Sequence, residues 1–357
     1  MSASAILTLA FYNNFGSVLQ AFALQKKIQQ ITGGITEVVA FKPQLSQPIY
    51  FRSEDLARQY QKKCDLFDEF RSRYLGINGD WFSDIEQINK KHEYYITGSD
   101  IVWGKEFSGL SSTYFLDFVP KEKKRIAYAA SMILTEDGKS EDDKLYAKYI
   151  PGFDAVSLRE TSSVDFIQQF TDKKVVDVLD PTLLLEKKDY QHLVMEGDAI
   201  PDKPYLLAYF LTHDPAVVDY TNIMAKKLGL RVVHYFADYP NRIFDSDAGC
   251  FAFAGPEQFL GYVKHASCVF TNSFHGTCFA IIFQRPFYTY TARRAMLSRV
   301  QDLIGRLELE NRCFTDFQDI GKLTLDIDYI MPNKCWKQEQ DKSLEFLENA
   351  VGGNKCV

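Results

Sequence analysis

Long apolar runs and an excess of positive charge are both missing from this sequence. No apolar run reaches the roughly 18 to 20 residues that a membrane-spanning helix requires, and no basic flank precedes a signal-like core at the N-terminus. The 357 residues carry a net charge of −6, so the chain has no general basic field for nucleic acid. We therefore expect a cytoplasmic protein that binds any anion at a local site.

Paired cysteine spacing is missing as well. The seven cysteines are odd in number and scattered, without the close pairs that a structural zinc site requires. Several lie in apolar runs, which is typical of reduced thiols packed in a core. The positions are Cys64, Cys250, Cys268, Cys278, Cys313, Cys335 and Cys356. We expect structural thiols and neither a metal nor a cofactor.

Apolar runs of strand length alternate with helical patterns along the whole chain. Such alternation is typical of parallel sheets with helices on both faces. Strands are predicted at 5–11, 35–41, 94–97, 125–130, 155–159, 205–211, 230–236, 268–271 and 286–291. We predict an α/β protein with two Rossmann-like domains, residues 1–190 and 191–357, that face a cleft. An amphipathic helix is predicted at 341–351.

The strand at 268–271 leads into the sequence Asn-Ser-Phe-His-Gly-Thr and then into an apolar helix predicted at 277–283. A helix N-terminus at the end of a parallel strand presents backbone N–H groups to an anion. We predict that His275 is catalytic there. The residues around it, predicted to bind an anionic donor, are Asn272, Ser273, Gly276 and Thr277. The alternative is a buried histidine that caps a turn.

Arg159 stands at the end of another predicted strand, where a guanidinium can offer a planar fork of donors to a carboxylate or phosphate. We predict that it is the second catalytic residue. The alternative is a salt bridge to Glu160 or a nearby acid. Arg299 is predicted to add a donor-binding cation, although it could equally belong to a solvated helical face.

The first strand-to-helix turn contains Asn14 and Gly16, at the place where a doubly wound sheet usually meets its ligand. Neither GxGxxG nor a P-loop occurs here, so the usual dinucleotide and ATP modes are disfavoured. Asp100, with Trp103 three residues later, could hold sugar hydroxyls or cap a helix. We predict acceptor contacts for Asn14, Gly16, Asp100 and Trp103.

Seven short motifs occur in an order and at separations that resemble the polysaccharide pyruvyl transferase family. They are Asn14–Leu24, Gly98–Trp103, Tyr114–Phe118, Ile126–Ser131, Val156–Glu160, Val178–Thr182 and Thr271–Thr277. The resemblance implies a two-domain fold of the GT-B type. It also implies transfer of pyruvate from phosphoenolpyruvate onto two sugar hydroxyls as a cyclic ketal, during assembly of a bacterial capsule, exopolysaccharide or cell-wall polymer.

The resemblance implies roles for individual residues. His275 matches the family's motif histidine, expected to bind the donor phosphate and exchange protons, and Arg159 matches its strand-end arginine, expected to clamp the donor. Three positions depart from the family: Ser273 stands where many members have arginine, Ile101 where glutamine is usual, and Met132 where glycine usually follows the Ala-Ser of the motif that ends at Ser131.

The expected partners are phosphoenolpyruvate and a sugar or lipid-linked saccharide acceptor, with no nucleic acid. A lipid-linked acceptor would bring the protein transiently to the inner face of the membrane. Two alternatives remain open from the sequence: a GT-B-like glycosyltransferase that uses a nucleotide-sugar, and a non-catalytic member of a polysaccharide assembly complex.

Overall fold

The computed structural model describes most of the chain. The described residues are 3–43, 53–104, 111–132, 134, 143–196, 200–211, 214–236, 254–291, 294–317, 321 and 323–352. Cys250 and Cys356 lie outside these ranges, whereas the other five cysteines are free thiols, as the sequence predicts.

The first half of the chain forms a six-stranded parallel sheet in the order β2-β1-β3-β4-β5-β6. Its strands are β1 (Ala3–Leu7), β2 (Ile35–Val38), β3 (Tyr94–Thr97), β4 (Lys124–Ala130), β5 (Ala155–Leu158) and β6 (Val175–Asp177). The predicted parallel sheet is confirmed. β6 was not predicted, because three residues are too few to show a periodic pattern.

In the described part of this half, five α-helices accompany the sheet. They are α1 (Phe15–Thr32), α2 (Glu54–Phe70), α3 (Asp143–Tyr149), α4 (Val164–Gln168) and α5 (Lys187–Tyr190). The boundaries of α1 follow from its sequence. The Asn14 side chain accepts hydrogen bonds from the backbone N–H groups of Gly16 and Ser17, and Gly33 ends the helix at a φ of 62°.

The second half forms a five-stranded parallel sheet in the order β11-β10-β9-β7-β8. Its strands are β7 (Tyr205–Phe210), β8 (Arg231–Phe236), β9 (Cys268–Thr271), β10 (Phe287–Tyr290) and β11 (Cys313–Phe314). Its helices are α6 (Pro215–Leu228), α7 (Pro256–His265), α8 (Phe274–Ile282) and α9 (Arg294–Arg306). The predicted architecture of two parallel α/β halves is therefore confirmed.

The terminal helix α10 (Ile330–Val351) returns to the first half. The indole N–H of Trp336 donates to the carbonyl of Leu183 at 2.8 Å, and the Ser343 hydroxyl accepts from the Leu179 N–H at 2.8 Å. From the sequence, this helix is predicted to belong to the second domain, residues 191–357. An amphipathic helix buries its apolar face against whichever surface is adjacent, and here that surface belongs to the first half.

One apolar core joins the two halves beneath the turn that starts α1. The ring of Phe15, buried to 2% exposure, stacks on Phe67 of α2 with ring centroids 5.5 Å apart and on Phe259 of α7 at 4.4 Å. Tyr209 of β7 packs against the same ring at 5.9 Å. This contact fixes the beginning of α1 against the second half.

None of the helices in the described ranges is both long and apolar enough to cross a membrane.

Candidate functional site

The carboxyl ends of β3, β4 and β5 bring polar side chains together at one edge of the first sheet. A register irregularity in β4 accompanies a φ of 48° at Ala129, and bulges of this kind redirect side chains near functional sites. Gly98 lies so close to β4 that a Cβ on it would stand 2.2 Å from the Tyr128 carbonyl oxygen. The loop that follows Gly98 is therefore held against β4, which brings Ser99 and Asp100 beside Arg159.

Arg159 is buried with its guanidinium already surrounded by oxygen atoms. Nε donates to Glu160 at 3.1 Å, Nη1 donates to Asp180 at 3.2 Å, and Nη2 donates to the Ser131 hydroxyl at 2.9 Å. Asp100 lies 3.9 Å from Nη1. Burial alone would lower the pKa of Arg159, but Glu160, Asp180 and Asp100 outweigh it and raise that pKa.

Asp180, just beyond β6, has no exposed side-chain surface. Its Oδ1 accepts from the backbone N–H of Thr182 at 3.0 Å and from the Thr182 hydroxyl at 2.8 Å, while Oδ2 accepts from Arg159 and from the Ser99 hydroxyl at 3.2 Å. Burial alone would raise the pKa of Asp180. His275, Arg159 and the Thr182 N–H outweigh that cost and hold the pKa below its usual range, so the side chain is an ionised carboxylate.

His275 reaches this carboxylate from the second half. Its Nε2 lies 3.4 Å from Asp180 Oδ2, within ion-pair range but without the alignment of a hydrogen bond, and that nitrogen is buried. The sequence predicted His275 in the turn before its helix. The structure instead places it in the first turn of α8, which begins at Phe274, because Ser273 caps the helix three residues earlier than expected.

The neighbours of His275 use their polar groups within the fold. The Asn272 side chain accepts from the Leu211 N–H at 2.8 Å, the Ser273 hydroxyl accepts from the Gly276 N–H at 3.2 Å, and the Thr277 hydroxyl donates to the Ser273 carbonyl at 3.1 Å. A Cβ on Gly276 would lie 2.6 Å from the Thr271 hydroxyl. These residues shape the start of α8, and their predicted contacts with a donor stay a prediction.

Two further predicted site residues lie at the cluster: Gly16 packs against His275, and Asp100 lies near Arg159. A Cβ on Gly16 would come within 2.0 Å of His275 Nδ1. The absence of a side chain at Gly16 therefore allows the imidazole to pack against α1. Asp100 adopts a φ of 73° and accepts from the Ser17 hydroxyl at 2.7 Å and from its neighbouring backbone N–H. It caps no helix. Asn14 is the cap of α1, and its predicted contact with an acceptor stays a prediction.

Trp103 lies apart from this cluster. Its side chain is 1% exposed, stacks on Phe115 at 5.4 Å and donates its indole N–H to the Tyr114 carbonyl. An aromatic ring that binds a sugar must present a face to it, and both faces of Trp103 are inside the core. The placement of Trp103 therefore does not fit the predicted acceptor contact.

Arg299 is buried on α9, a helix that touches the first half close to the cluster. Asp302, one turn later on α9, accepts a hydrogen bond from Thr161, and Arg306 lies 3.4 Å from Asp177. Residues three and seven positions apart share a helix face, so Arg299 faces the first half as well.

Asp180, Glu160 and Ser131 belong to the cluster but were not predicted as site residues. The sequence carries a signal for Asp180, which lies in the Val178–Thr182 motif, and for Glu160, which follows Arg159 directly. Ser131 ends another of the motifs. Their contribution depends on contacts between residues that are far apart in sequence.

The cluster carries an excess of negative charge. Asp100, Glu160 and Asp180 surround one guanidinium, which leaves a formal charge of −2 when His275 is neutral. The Arg159 guanidinium also lies 4.4 Å from the centroid of the Phe274 ring, next to His275. Charged groups of the first half and the imidazole of the second half thus form one continuous cluster across the contact between the halves.

Comparison with known proteins links this arrangement to a family. A sequence model of the polysaccharide pyruvyl transferase family matches residues 14–291. A search of curated protein sequences finds no match.

Two solved structures have a similar overall fold. The structure of S. aureus MnaA with UDP aligns with a TM-score of 0.51 and 10% identity, covering 99% of this chain and 97% of that one. UDP-N-acetylglucosamine 2-epimerase from Rickettsia bellii aligns with a TM-score of 0.51 and 12% identity, covering 100% and 99%. At this identity the similarity shows the fold alone, which is GT-B-like.

The family match covers most of the chain and includes Asp100, Arg159, Asp180 and His275, the charged residues that meet between the halves. The chain belongs to the polysaccharide pyruvyl transferase family, a family of transferases that act on polysaccharide.

Proposed function

We propose that this protein transfers pyruvate from phosphoenolpyruvate onto two hydroxyls of a sugar, in a polysaccharide or its precursor, as a cyclic ketal. The observation that carries the proposal is the pairing of His275 with ionised Asp180, beside Arg159, at the contact between the two halves. Family membership supplies the reaction class.

The reaction requires a general acid and a general base. Protonation of the methylene carbon makes C2 of phosphoenolpyruvate electrophilic, a sugar hydroxyl adds to C2, and phosphate leaves. The second hydroxyl then adds to the same carbon and closes the ketal. Two hydroxyl protons are released, one ending on the new methyl group and one on phosphate. His275 is the side chain to which we assign these transfers, because imidazole both accepts and donates protons near neutral pH.

The charge of the cluster sets a condition on donor binding. Phosphoenolpyruvate is an anion, and Arg159 is already matched by carboxylates, so a further cation has to offset the donor's charge. We assign this role to Arg299, which is buried on the face of α9 that meets the first half. In this scheme Arg159 orients the carboxylates around His275.

The acceptor approaches from the side of the first sheet. Asp100 lies at the end of β3 within the cluster, and its carboxylate is suited to accept hydrogen bonds from sugar hydroxyls. The acceptor class is a saccharide, free or lipid-linked. A lipid-linked acceptor would bring the protein to the inner face of the membrane during each reaction.

The test is a release assay with matched donors. The purified protein is mixed with a saccharide acceptor panel and with either phosphoenolpyruvate or nucleotide-sugars, and inorganic phosphate, nucleotide and product mass are measured. We expect phosphate release only with phosphoenolpyruvate and an acceptor, with a product heavier by one pyruvate ketal.

A donor that binds the folded protein also raises its melting temperature, by an amount that increases with the ratio of donor concentration to Kd. We expect this shift with phosphoenolpyruvate. Stabilisation and nucleotide release with a nucleotide-sugar alone would contradict the proposal and favour a glycosyltransferase. Binding of a saccharide without turnover of any donor would favour a non-catalytic role.

A further inference from the structure

The two nitrogens of the His275 ring lie in different surroundings. Nε2 is buried and faces Oδ2 of Asp180 at 3.4 Å. Nδ1 lies on the side of Gly16, whose missing side chain leaves room for the ring. Because Nε2 is shielded from any ligand, a proton exchanged with a ligand has to pass through Nδ1.

Asp180 is held in one orientation by contacts that do not involve His275. Two hydrogen bonds from Thr182 fix Oδ1, and Arg159 and Ser99 fix Oδ2. The carboxylate is an acceptor only, so it selects the neutral imidazole that carries its hydrogen on Nε2. The lone pair of that tautomer is on Nδ1.

We propose that Asp180 is a positioning residue that fixes His275 as the Nε2–H tautomer, so that Nδ1 is the atom that takes and returns the proton. This inference rests on the proposed function for its reaction, since it specifies which atom of His275 acts. The two determinants of the ring, Asp180 and Gly16, both belong to the first half, whereas His275 belongs to the second. The proton-transfer group is therefore complete only where the halves meet.

The first experiment reads the tautomer directly in the protein without donor. Nitrogen-15 labelling of the six histidines and long-range nitrogen–proton spectra show which ring nitrogen is protonated, and the signals of His275 are those lost in His275→Gln. We expect the Nε2–H form in the wild-type protein. In Asp180→Asn, which removes the negative charge but keeps the shape, we expect a measurable share of the Nδ1–H form.

The second experiment separates positioning from general stability. Asp180→Asn is expected to lower kcat by about 10-fold to 10²-fold, with a much smaller change in KM for phosphoenolpyruvate, because the proton transfer is affected more than binding. The matched control is Asp177→Asn, which removes a carboxylate three residues away whose partners are Lys342 and Arg306. We expect the tautomer and kcat of this control to match the wild type.

If Asp180→Asn does not fold, Thr182→Val provides the same test. It removes the hydroxyl bond to Oδ1 of Asp180 but keeps the backbone N–H and the side-chain volume. A smaller shift in the same direction is expected. An unchanged His275 tautomer in the folded variants, or an equal loss of kcat in Asp177→Asn, would overturn the inference. The tautomer is measured without donor, so failure of phosphoenolpyruvate as the donor is a separate result.

Discussion

The carboxyl edge of the first sheet brings four charged side chains to the contact between the halves, whereas the second half brings one imidazole. In the first half, Asp100, Arg159, Glu160 and Asp180 satisfy one another through ion pairs and hydroxyl bonds. In the second half, the polar groups around His275 cap and brace α8. The first half therefore sets a fixed electrostatic environment, and the second half places an imidazole against it.

This division explains why the most informative motif of the sequence is not sufficient by itself. His275 has its orientation set by residues of the other half, and Arg159 has its charge matched by acids of its own half. Each variant below changes the contribution of one half to the cluster. The effects on activity and on stability should therefore separate.

The largest effect is expected for His275→Gln. Loss of a proton-transfer group typically lowers the rate by about 10² to 10⁴, whereas stability should change little because Nε2 makes no aligned hydrogen bond. Phosphate release and a thermal melt measure the two quantities. The control is His265→Gln, an exposed histidine of the same half that pairs with Glu196. Equal activity in both variants would remove His275 from the mechanism.

Arg159→Met should act mainly on stability. Removing the guanidinium that contacts both Glu160 and Asp180 takes a partner away from two buried carboxylates, at a cost of about 3 to 5 kcal/mol. The free energy of unfolding in urea is the measurement. Arg58→Met, at an exposed pair with Asp55, should cost about 0 to 1 kcal/mol. A loss for Arg159→Met no larger than for Arg58→Met would show that the cluster does not depend on this ion pair.

Gly16→Ala tests the contact that crosses the halves. The added methyl would lie 2.0 Å from Nδ1 of His275 and would displace the ring, with a destabilisation of about 1 to 3 kcal/mol and reduced turnover. Gly305, a glycine within α9, provides the control. A Cβ added there would have its nearest contact, the Glu310 carboxylate, at 4.0 Å. Gly305→Ala should therefore be neutral or stabilise by up to about 1 kcal/mol. Wild-type turnover in Gly16→Ala would contradict the packing described here.

The smallest effect is expected in the acid dependence of stability. The pKa of Asp180 is lowered in the folded protein, so its contribution to stability is present above the unfolded value of about 3.9 and is lost as the pH falls below it. The difference in unfolding free energy between wild type and Asp180→Asn should shrink by at most about 1.4 kcal/mol per pH unit in that window. Urea titrations between neutral pH and pH 3 measure it. A difference that grows as the pH falls would reverse the predicted sign.

Much of the fold could be predicted from local patterns. The strands at 94–97 and 268–271 have the predicted bounds, and α1 begins and ends within two residues of the range 17–31 that its helical spacing of apolar residues predicts. Two elements differ from the prediction. β6 is too short to show alternation, and α10 begins at Ile330, before the predicted range of 341–351.

The site could be predicted in part. His275, Arg159, Gly16 and Asp100 were all singled out, and the structure brings them together. Trp103 was also singled out and lies in the core. The neutralisation of Arg159 could not be foreseen, because an ion-pair network depends on which distant strand ends meet.

The sequence by itself determined the alternation of strands and helices, the caps that begin and end α1, and the residue types available at each strand end. Those features follow from interactions within a few residues along the chain. Only the tertiary structure decided that Asp180 faces His275 and that Gly16 makes room for the ring. Such contacts arise when packing of the shared core around Phe15 brings the two halves together, and no local pattern records that packing.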